Sequence, residues 1–442
     1  MSSFSPAERS VALDQALAAE TGAYAARNPR SAAALATACA ALPGGNTRSV
    51  LFHPPFPLSM ARGEGCRLWD EDGHVYLDAL GEFTAGLYGH SHPVIREAIT
   101  QALDGGINLS SHTAREGLLA REIQRRFPAM ELLRFTNSGT EANLLAIATA
   151  KAHTGRERVL VFRGAYHGGV LSFGGGGSPM NVPHAWLLAR YNDLASAQAL
   201  VAEHGAQLAA IVVEPMLGSG GCIPGEPAFL HGLRALATQC GALLILDEVM
   251  TSRLSYGGRQ ALLGLRPDLT TAGKYLGGGL SFGVFGGRAE VMAGFDPRRA
   301  DAWAHAGTFN NNVLTLAAGH AGLSRVLDAG ALQALNARGD ALRERLNQVL
   351  QQQGVAMQYT GLGSLMSLHA TAAPVQSPED LAGTDARAKD LLFFALLARG
   401  VFTARRGMIA LSLPFDEAEC EALTQAFEDA VRAHRAVLPA RG

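Results

Sequence analysis

The middle of the chain contains a lysine whose neighbours differ from those of an ordinary surface lysine. Lys274 lies in the segment TTAGKYLGGG, between a short apolar run and three glycines. Most lysines are solvated surface charges, and this is the alternative for Lys274. A lysine that is removed from water has a lowered pKa, and its neutral amine can attack an aldehyde. The flanking residues of Lys274 therefore favour a nucleophile that forms a Schiff base.

A second group of residues, Ser138 to Glu141, predicts an anion site. The sequence Ser-Gly-Thr-Glu follows an apolar run and opens a helical pattern. The free N–H groups and the dipole at the start of a helix bind anions. Gly139 would let the backbone approach the anion closely, while the hydroxyls of Ser138 and Thr140 would add donors. The same residues match a Ser-x-x-Glu capping box, and the two roles are compatible.

Two further candidates follow apolar runs that are typical of strands. Asp247 comes directly after LLIL, at the predicted carboxyl edge of a parallel sheet, where ligands bind in open α/β folds. A buried aspartate needs a cation or hydrogen-bond donors, and a protonated ring nitrogen would suit it. A helix N-cap is the alternative for Asp247. Tyr166 follows the run VLVF and could stack on a flat ligand, with core packing as the alternative.

These candidates lie where short apolar runs alternate with longer helical patterns. Such alternation predicts a mostly parallel sheet that is covered by helices on both faces. The predicted strands are 132–137, 159–162, 209–215, 243–249 and the residues before Lys274, and the predicted helices include 140–153, 193–204 and 227–240.

The two ends of the chain differ from its middle. Residues 1–40 are rich in alanine and helical in pattern, and residues 61–80 alternate around turn signals like a small antiparallel hairpin. After about residue 325, helical patterns mix with short strands such as MSLHA and MIALSLP. We therefore expect an α/β fold with a large lobe and a smaller α+β lobe that both chain ends form. The expected division is 1–85 for the N-terminal segment and part of the small lobe, 86–324 for the large lobe, and 325–442 for the rest of the small lobe.

The composition limits the class of protein. The chain of 442 residues is 48% hydrophobic and 17% charged, which argues for a large core and against disorder. A net charge of −2 gives no reason to expect nucleic acid or an anionic membrane as a partner. The five cysteines form no C-x-x-C pair and the first residues do not resemble a signal peptide. We expect a soluble cytoplasmic protein with free thiols and without a bound metal ion.

The motifs together resemble the class III aminotransferases, which are fold-type I enzymes dependent on pyridoxal 5′-phosphate. The resemblance extends from about Leu42 to Pro414. The motifs that carry it are FTNSGTEANLLAIATAKAHTGRERVLVFRGAYHGG, VVEPMLGSGG, LLILDEVMTSR, DLTTAGKYLGGGLSFGVFGGR and GTFNNN.

The resemblance implies a role for each matching residue. Lys274 would hold pyridoxal 5′-phosphate as a Schiff base and move the proton between the substrate carbon and the C4′ atom of the cofactor. Asp247 would keep the pyridine nitrogen protonated, and Val249 and Tyr166 would pack on opposite faces of the ring. The other implied cofactor contacts are Ser138, Gly139 and Thr140 at the phosphate, Glu214 near the hydroxyl edge of the ring, and Thr308 at the phosphate bound by the neighbouring subunit. His167 would support the residues that touch the cofactor without touching it directly. The resemblance thus implies a homodimer with the active site at the interface.

Two groups within the family are similar to the chain: the glutamate-1-semialdehyde 2,1-aminomutases and the bacterial β-phenylalanine aminotransferases. LPGGNTRSVLF, EVMTSR, GTFNNN and MIALSLP resemble the second group more. Arg48 aligns with an arginine that grips the substrate carboxylate in both groups. Arg406 aligns with the mobile arginine that binds a dicarboxylic acceptor, which the aminomutase pattern lacks. Many class III enzymes pair that arginine with a glutamate, but Ser219 occupies the position here, so we expect Arg406 to swing outward when an aromatic substrate is bound.

The resemblance therefore implies an aminotransferase that moves the amino group of a β-amino acid, best (S)-β-phenylalanine, to a 2-oxo acid such as 2-oxoglutarate or pyruvate. The aminomutase and a class III aminotransferase of other amine specificity are the alternatives. A regulator that senses the cofactor and binds DNA is disfavoured, because residues 1–40 are too short for a helix-turn-helix domain and have no basic cluster.

Overall fold

The computed structural model describes residues 5–441, in which the chain forms one seven-stranded sheet and three smaller sheets. The strands are β1 (Met60–Glu64), β2 (Arg67–Asp70), β3 (Val75–Asp78), β4 (Leu132–Thr136), β5 (Arg158–Phe162), β6 (Ala185–Ala189), β7 (Leu208–Val213), β8 (Met216–Leu217), β9 (Ile223–Pro224), β10 (Leu243–Asp247), β11 (Leu269–Gly273), β12 (Gly283–Gly287), β13 (Gln358–Leu362), β14 (Leu365–His369), β15 (Val401–Phe402) and β16 (Met408–Ala410).

Helices cover these sheets and connect their strands. They are α1 (Pro6–Arg27), α2 (Pro29–Cys39), α3 (Pro93–Asp104), α4 (Ala114–Arg126), α5 (Gly139–Thr154), α6 (Leu194–His204), α7 (Pro227–Cys240), α8 (Gly258–Leu263), α9 (Ala289–Met292), α10 (Val313–Ala321), α11 (Ala329–Gln352), α12 (Arg387–Leu397) and α13 (Glu417–His434). Within residues 5–441, none of the helices has the length and apolarity that crossing a membrane requires.

The seven-stranded sheet has the order β4-β12-β11-β10-β7-β5-β6. Strand β12 is antiparallel to both of its neighbours, and the other neighbouring strands pair in parallel. Strands β7, β10 and β11 are buried along their whole length because helices lie on both faces. The prediction of a mostly parallel, helix-covered sheet is confirmed.

The helices that lead away from this sheet start where the sequence places their caps. Ser138 is the N-cap of α5, and its hydroxyl accepts a hydrogen bond of 3.1 Å from the Glu141 N–H. Asp193 caps α6 in the same way through the Ser196 N–H. Helix α7 begins at Pro227, whose missing N–H has no cost in the first turn. The predicted boundaries therefore lie within one residue of those observed.

Segments from both ends of the chain meet in a second sheet. Strands β1, β2 and β3 are antiparallel, and β15 adds to β3 in parallel. The hairpin predicted over 61–80 is thus part of a four-stranded sheet that a C-terminal strand completes. The pairing places the segment before Arg406 beside the N-terminal strands, which brings the two predicted arginines toward one region of the molecule.

Candidate active site

A cavity of 670 Å³ opens at the carboxyl ends of the parallel strands. Ten of the twelve residues that the sequence singled out line it. The cavity also contains residues of the N-terminal segment and of the segment after β15, so its walls come from distant parts of the chain. The ten are Arg48, Gly139, Thr140, Tyr166, His167, Glu214, Asp247, Val249, Lys274 and Arg406.

Lys274 lies directly after β11 in a left-handed backbone conformation, with a φ of 58°. Such a conformation is uncommon for a residue other than glycine, and strain of this kind concentrates at functional sites. The Nζ atom donates a hydrogen bond to the carbonyl oxygen of Phe83. Burial lowers the pKa of Lys274 to about 8, and the positive charges of Arg48 and Arg406 add to this effect. A substantial fraction of the amine is therefore neutral at mildly alkaline pH, which attack on an aldehyde requires.

Asp247 ends β10, and its carboxylate is oriented by three donors. Oδ2 accepts hydrogen bonds from Asn143 Nδ2 and from His167 Nδ1, both at 2.8 Å, and Oδ1 accepts one of 3.0 Å from the Val249 N–H. Burial lowers the pKa of His167, but the hydrogen bond to Asp247 and the charges of Asp247 and Glu214 outweigh burial and raise it. The carboxylate is thus fixed at the floor of the cavity.

Asn143 is a part of this arrangement that the sequence analysis missed. Its Oδ1 accepts a 2.7 Å hydrogen bond from Thr271 Oγ1, while Nδ2 reaches both Asp247 and the backbone oxygen of His167. The amide therefore links α5, β11 and the end of β10. A lone amide in the otherwise apolar helix face NLLAIATA is the signal that could have revealed it.

Glu214 follows β7 and lies beside Tyr166. Its Oε1 accepts a 2.9 Å hydrogen bond from the Tyr166 N–H, and its Oε2 accepts one of 3.0 Å from the Gly218 N–H. Burial raises the pKa of Glu214 to about 7; the charge of His167 opposes this shift and that of Asp247 adds to it. Glu214 is therefore a carboxyl group that can exchange a proton near neutral pH. Tyr166 lines the cavity and is 45% exposed.

The residues predicted to bind an anion lie at the start of α5. Gly139 and Thr140 line the cavity, whereas the Ser138 hydroxyl is engaged as the N-cap of the helix. A Cβ atom on Gly139 would lie 2.9 Å from Val249 Cγ2, and one on Gly168 would lie 2.6 Å from Thr140 Cγ2. Glycine is required at both positions because a side chain would fill the space next to the helix N-terminus.

These groups fit pyridoxal 5′-phosphate in their chemistry. The N–H groups at the start of α5 suit its phosphate, the Asp247 carboxylate suits its pyridine nitrogen, and the Lys274 amine suits its aldehyde. The space that Gly139 and Gly168 leave open supports the same assignment.

Arg48 and Arg406 lie on the same cavity but have different partners. Arg48 pairs with Glu82, which belongs to a turn that the sequence analysis did not single out. Arg406 Nη1 donates a 2.9 Å hydrogen bond to Ser219 Oγ, and burial lowers the pKa of Arg406. The guanidinium carbons lie 5.5 Å (Arg48) and 5.3 Å (Arg406) from the centre of the Phe83 ring. The hydroxyl of Ser219 is thus a neutral partner for Arg406.

Thr308 lies elsewhere. It is exposed on a turn with Phe309, whose side chain is 57% exposed, and the described residues that line the cavity do not include it. Its predicted contact with the phosphate of a neighbouring subunit stays a prediction.

The chain is similar to known proteins over most of its length. The model of the family "Aminotransferase class-III" matches residues 52–431. The β-phenylalanine transaminase of Variovorax paradoxus is 53% identical over 97% of this chain and 98% of its own, and a solved β-phenylalanine aminotransferase of that organism superimposes with a TM-score of 0.96 over 97% of this chain and 100% of the other.

More distant relatives are similar in fold and sequence. The glutamate-1-semialdehyde 2,1-aminomutase of Sorangium cellulosum is 38% identical over 86% of this chain and 90% of its own. A solved omega-transaminase of Sphaerobacter thermophilus is 36% identical with a TM-score of 0.87, over 92% of this chain and 98% of the other. The family model and the 53% identical relative together show that the chain belongs to the class III aminotransferases, a family of enzymes that depend on pyridoxal 5′-phosphate.

Proposed function

We propose that the protein transfers the amino group of an aromatic β-amino acid, best (S)-β-phenylalanine, to a 2-oxo acid such as 2-oxoglutarate or pyruvate. The observation that carries the proposal is the presence of two arginines, Arg48 and Arg406, on the same cavity as Lys274. The β-phenylalanine transaminase of Variovorax paradoxus, which is 53% identical over nearly the whole chain, supports the same substrate class.

Pyridoxal 5′-phosphate, when bound, carries the amino group and accepts electrons from the substrate carbon. The Lys274 amine would bind its aldehyde and, once released, would take the proton from the amine-bearing carbon of the substrate. Asp247 would hold a proton at the pyridine nitrogen, since its orientation is fixed by Asn143 and His167. A well-placed base of this kind contributes roughly 10²- to 10⁴-fold to the rate.

The other site residues would position the cofactor. Tyr166 and Val249 would pack on opposite faces of the ring, and Glu214 would lie at its hydroxyl edge. Ser138, Gly139 and Thr140 would bind the phosphate, because the Ser138 hydroxyl accepts a hydrogen bond as the cap of α5 and keeps its own O–H to donate. Their combined effect would be to hold the reacting carbon within reach of Lys274.

Arg48 and Arg406 would bind different carboxylate groups. In a β-amino acid the amine-bearing carbon lies one bond farther from the carboxylate than in an α-amino acid, so Arg48 would anchor the acid farther from Lys274. Arg406 would bind the second carboxylate of 2-oxoglutarate, because a planar guanidinium suits a bidentate carboxylate. An enzyme that needs an external dicarboxylic acceptor has a use for Arg406, whereas an intramolecular aminomutase has none.

We propose in addition a cytoplasmic homodimer in which Thr308 reaches the phosphate in the other subunit. The exposed turn that contains Thr308 and Phe309 supports the dimer contact. The five cysteines are all free thiols, which supports a reducing compartment such as the cytoplasm. Light scattering of the purified protein tests the dimer. A Thr308→Ala variant that binds the cofactor as tightly as the wild type would contradict the contact.

A half-reaction tests the proposed activity. The cofactor-loaded protein is mixed with (S)-β-phenylalanine alone, and the visible absorbance band of the lysine-bound cofactor is followed. We expect this band to disappear and to return when 2-oxoglutarate is added, and we expect a Lys274→Ala variant to lack both the band and the transfer. A band that stays unchanged, together with isomerisation of glutamate-1-semialdehyde without any acceptor, would establish the aminomutase instead.

A further inference from the structure

One short turn contacts all three cationic side chains of the cavity. The turn consists of Gly81 to Thr84 and follows β3. Glu82 pairs with Arg48, the carbonyl oxygen of Phe83 accepts from Lys274 Nζ, and the Phe83 ring lies near both guanidinium groups. Two adjacent residues of this turn therefore lie against Arg48, Lys274 and Arg406 at once.

The backbone of the turn is held by the fold rather than by the arginines. The φ angles of Glu82, Phe83 and Thr84 are 47°, 50° and 82°, in the left-handed region that side chains disfavour. Asp78 Oδ1 accepts from the N–H groups of Leu80 and Gly81 at 2.9 and 3.0 Å and so fastens the start of the turn. The segment that presents Glu82 to Arg48 is thus anchored to Asp78 at its start.

We propose that Glu82 is an internal competitor that occupies Arg48 and must be displaced by the carboxylate of the incoming substrate. This inference rests on the proposed function, in which Arg48 binds that carboxylate. Glu82 contacts Nη1 of Arg48, so a substrate carboxylate that binds to the edge formed by Nη1 and Nη2 must displace Glu82. The apparent affinity for the substrate carboxylate falls in proportion to the fraction of protein in which Arg48 is free of Glu82.

The exposure of the pair makes displacement feasible. The side chains of Arg48 and Glu82 are 44% and 53% exposed, so Glu82 enters water when it leaves Arg48. An exposed ion pair contributes little, and its loss changes an equilibrium by about two- to fivefold. Arg406 differs, because its partners are the neutral side chains of Ser219 and Met408. The two arginines therefore differ in how easily they accept a carboxylate. A carboxylate that binds Arg48 must displace the charged Glu82, while a carboxylate that binds Arg406 displaces only the neutral hydroxyl of Ser219.

The Glu82→Gln variant of the cofactor-loaded enzyme tests the competitor. Binding of 3-phenylpropanoate, which is β-phenylalanine without its amine and cannot react, is measured by calorimetry. The KM and kcat for (S)-β-phenylalanine are measured in parallel. We expect the dissociation constant and the KM to fall about two- to fivefold, with a change in KM that exceeds any change in kcat. Unchanged or weaker binding would overturn the inference, since a glutamate that merely orients Arg48 would have that effect.

Two further variants separate competition from a general effect of charge. In an Arg48→Leu background, Glu82→Gln should no longer tighten the binding of 3-phenylpropanoate. Glu64→Gln removes a comparable exposed pair with Arg62 on β1, away from the cavity, and should leave binding unchanged. Equal tightening in the Arg48→Leu background would refute the competitor. Failure of the wild type to transfer the amine of β-phenylalanine would refute the proposed function alone, because binding of the inert acid is measured independently.

Discussion

Replacement of Arg406 by alanine should weaken the binding of 2-oxoglutarate far more than that of pyruvate. Two charge-assisted hydrogen bonds from a guanidinium contribute about 3 kcal/mol at the lower end of their range. Arg406 must first give up its 2.9 Å hydrogen bond to Ser219, which offsets about 1 kcal/mol of this gain. The remaining 2 kcal/mol or so correspond to roughly a thirtyfold rise in KM.

Steady-state kinetics with one amine donor and a varied acceptor measure this effect. The KM for 2-oxoglutarate should rise roughly thirtyfold in Arg406→Ala, while the KM for pyruvate, which lacks the second carboxylate, should change less than about threefold. A Ser219→Glu variant should act in the same direction, since it places a carboxylate beside Arg406 that competes with the acceptor. An unchanged KM for 2-oxoglutarate in Arg406→Ala would refute the assignment of Arg406.

Three other predictions follow from the site and its supports. Because burial lowers the pKa of Lys274 to about 8, the rate at which cofactor-free protein takes up pyridoxal 5′-phosphate should rise with pH through about 8 and then level off; a rise that continues to about pH 10 would contradict this. Gly168→Ala should raise the dissociation constant of the cofactor at least about tenfold in equilibrium dialysis, since its Cβ would clash with Thr140, whereas Gly174→Ala, which has open space, should not. Asp268→Asn should lower the stability to urea by about 3 kcal/mol, because buried Asp268 pairs with Arg234 and Arg288; a midpoint equal to that of the wild type would count against the pair.

The central sheet and most of the cavity could be predicted because their signals are local. Caps such as Ser138 and Asp193 mark helix starts within a residue, and apolar runs mark buried strands. In a parallel sheet the residues after the strands meet at one edge, so Asp247 and Lys274 could be placed together from their positions in the sequence, whereas Glu214 was placed by the family resemblance alone.

What the sequence analysis missed depends on contacts between distant segments or on rare backbone conformations. The left-handed turn at Glu82 and Phe83 has no sequence signature, because the side chains there disfavour the conformation that the surrounding fold imposes. The parallel pairing of β3 with β15 joins segments that are far apart in the chain, so the pattern over 61–80 predicted a hairpin alone. The partner of Arg48 could not be derived from local patterns, whereas the family resemblance had already placed Ser219 opposite Arg406.

The pairing of β3 with β15 also has a consequence for the order of events during synthesis. The central sheet is complete in sequence once β12 has left the ribosome, whereas β3 gains its parallel neighbour only when residues 401–402 emerge. Domains fold as units while the chain is made, and contacts between distant segments form late. A nascent chain that ends before residue 401 would thus contain the residues at the start of α5 and Lys274 but lack Arg406, so that cofactor capture can precede the ability to select an acceptor.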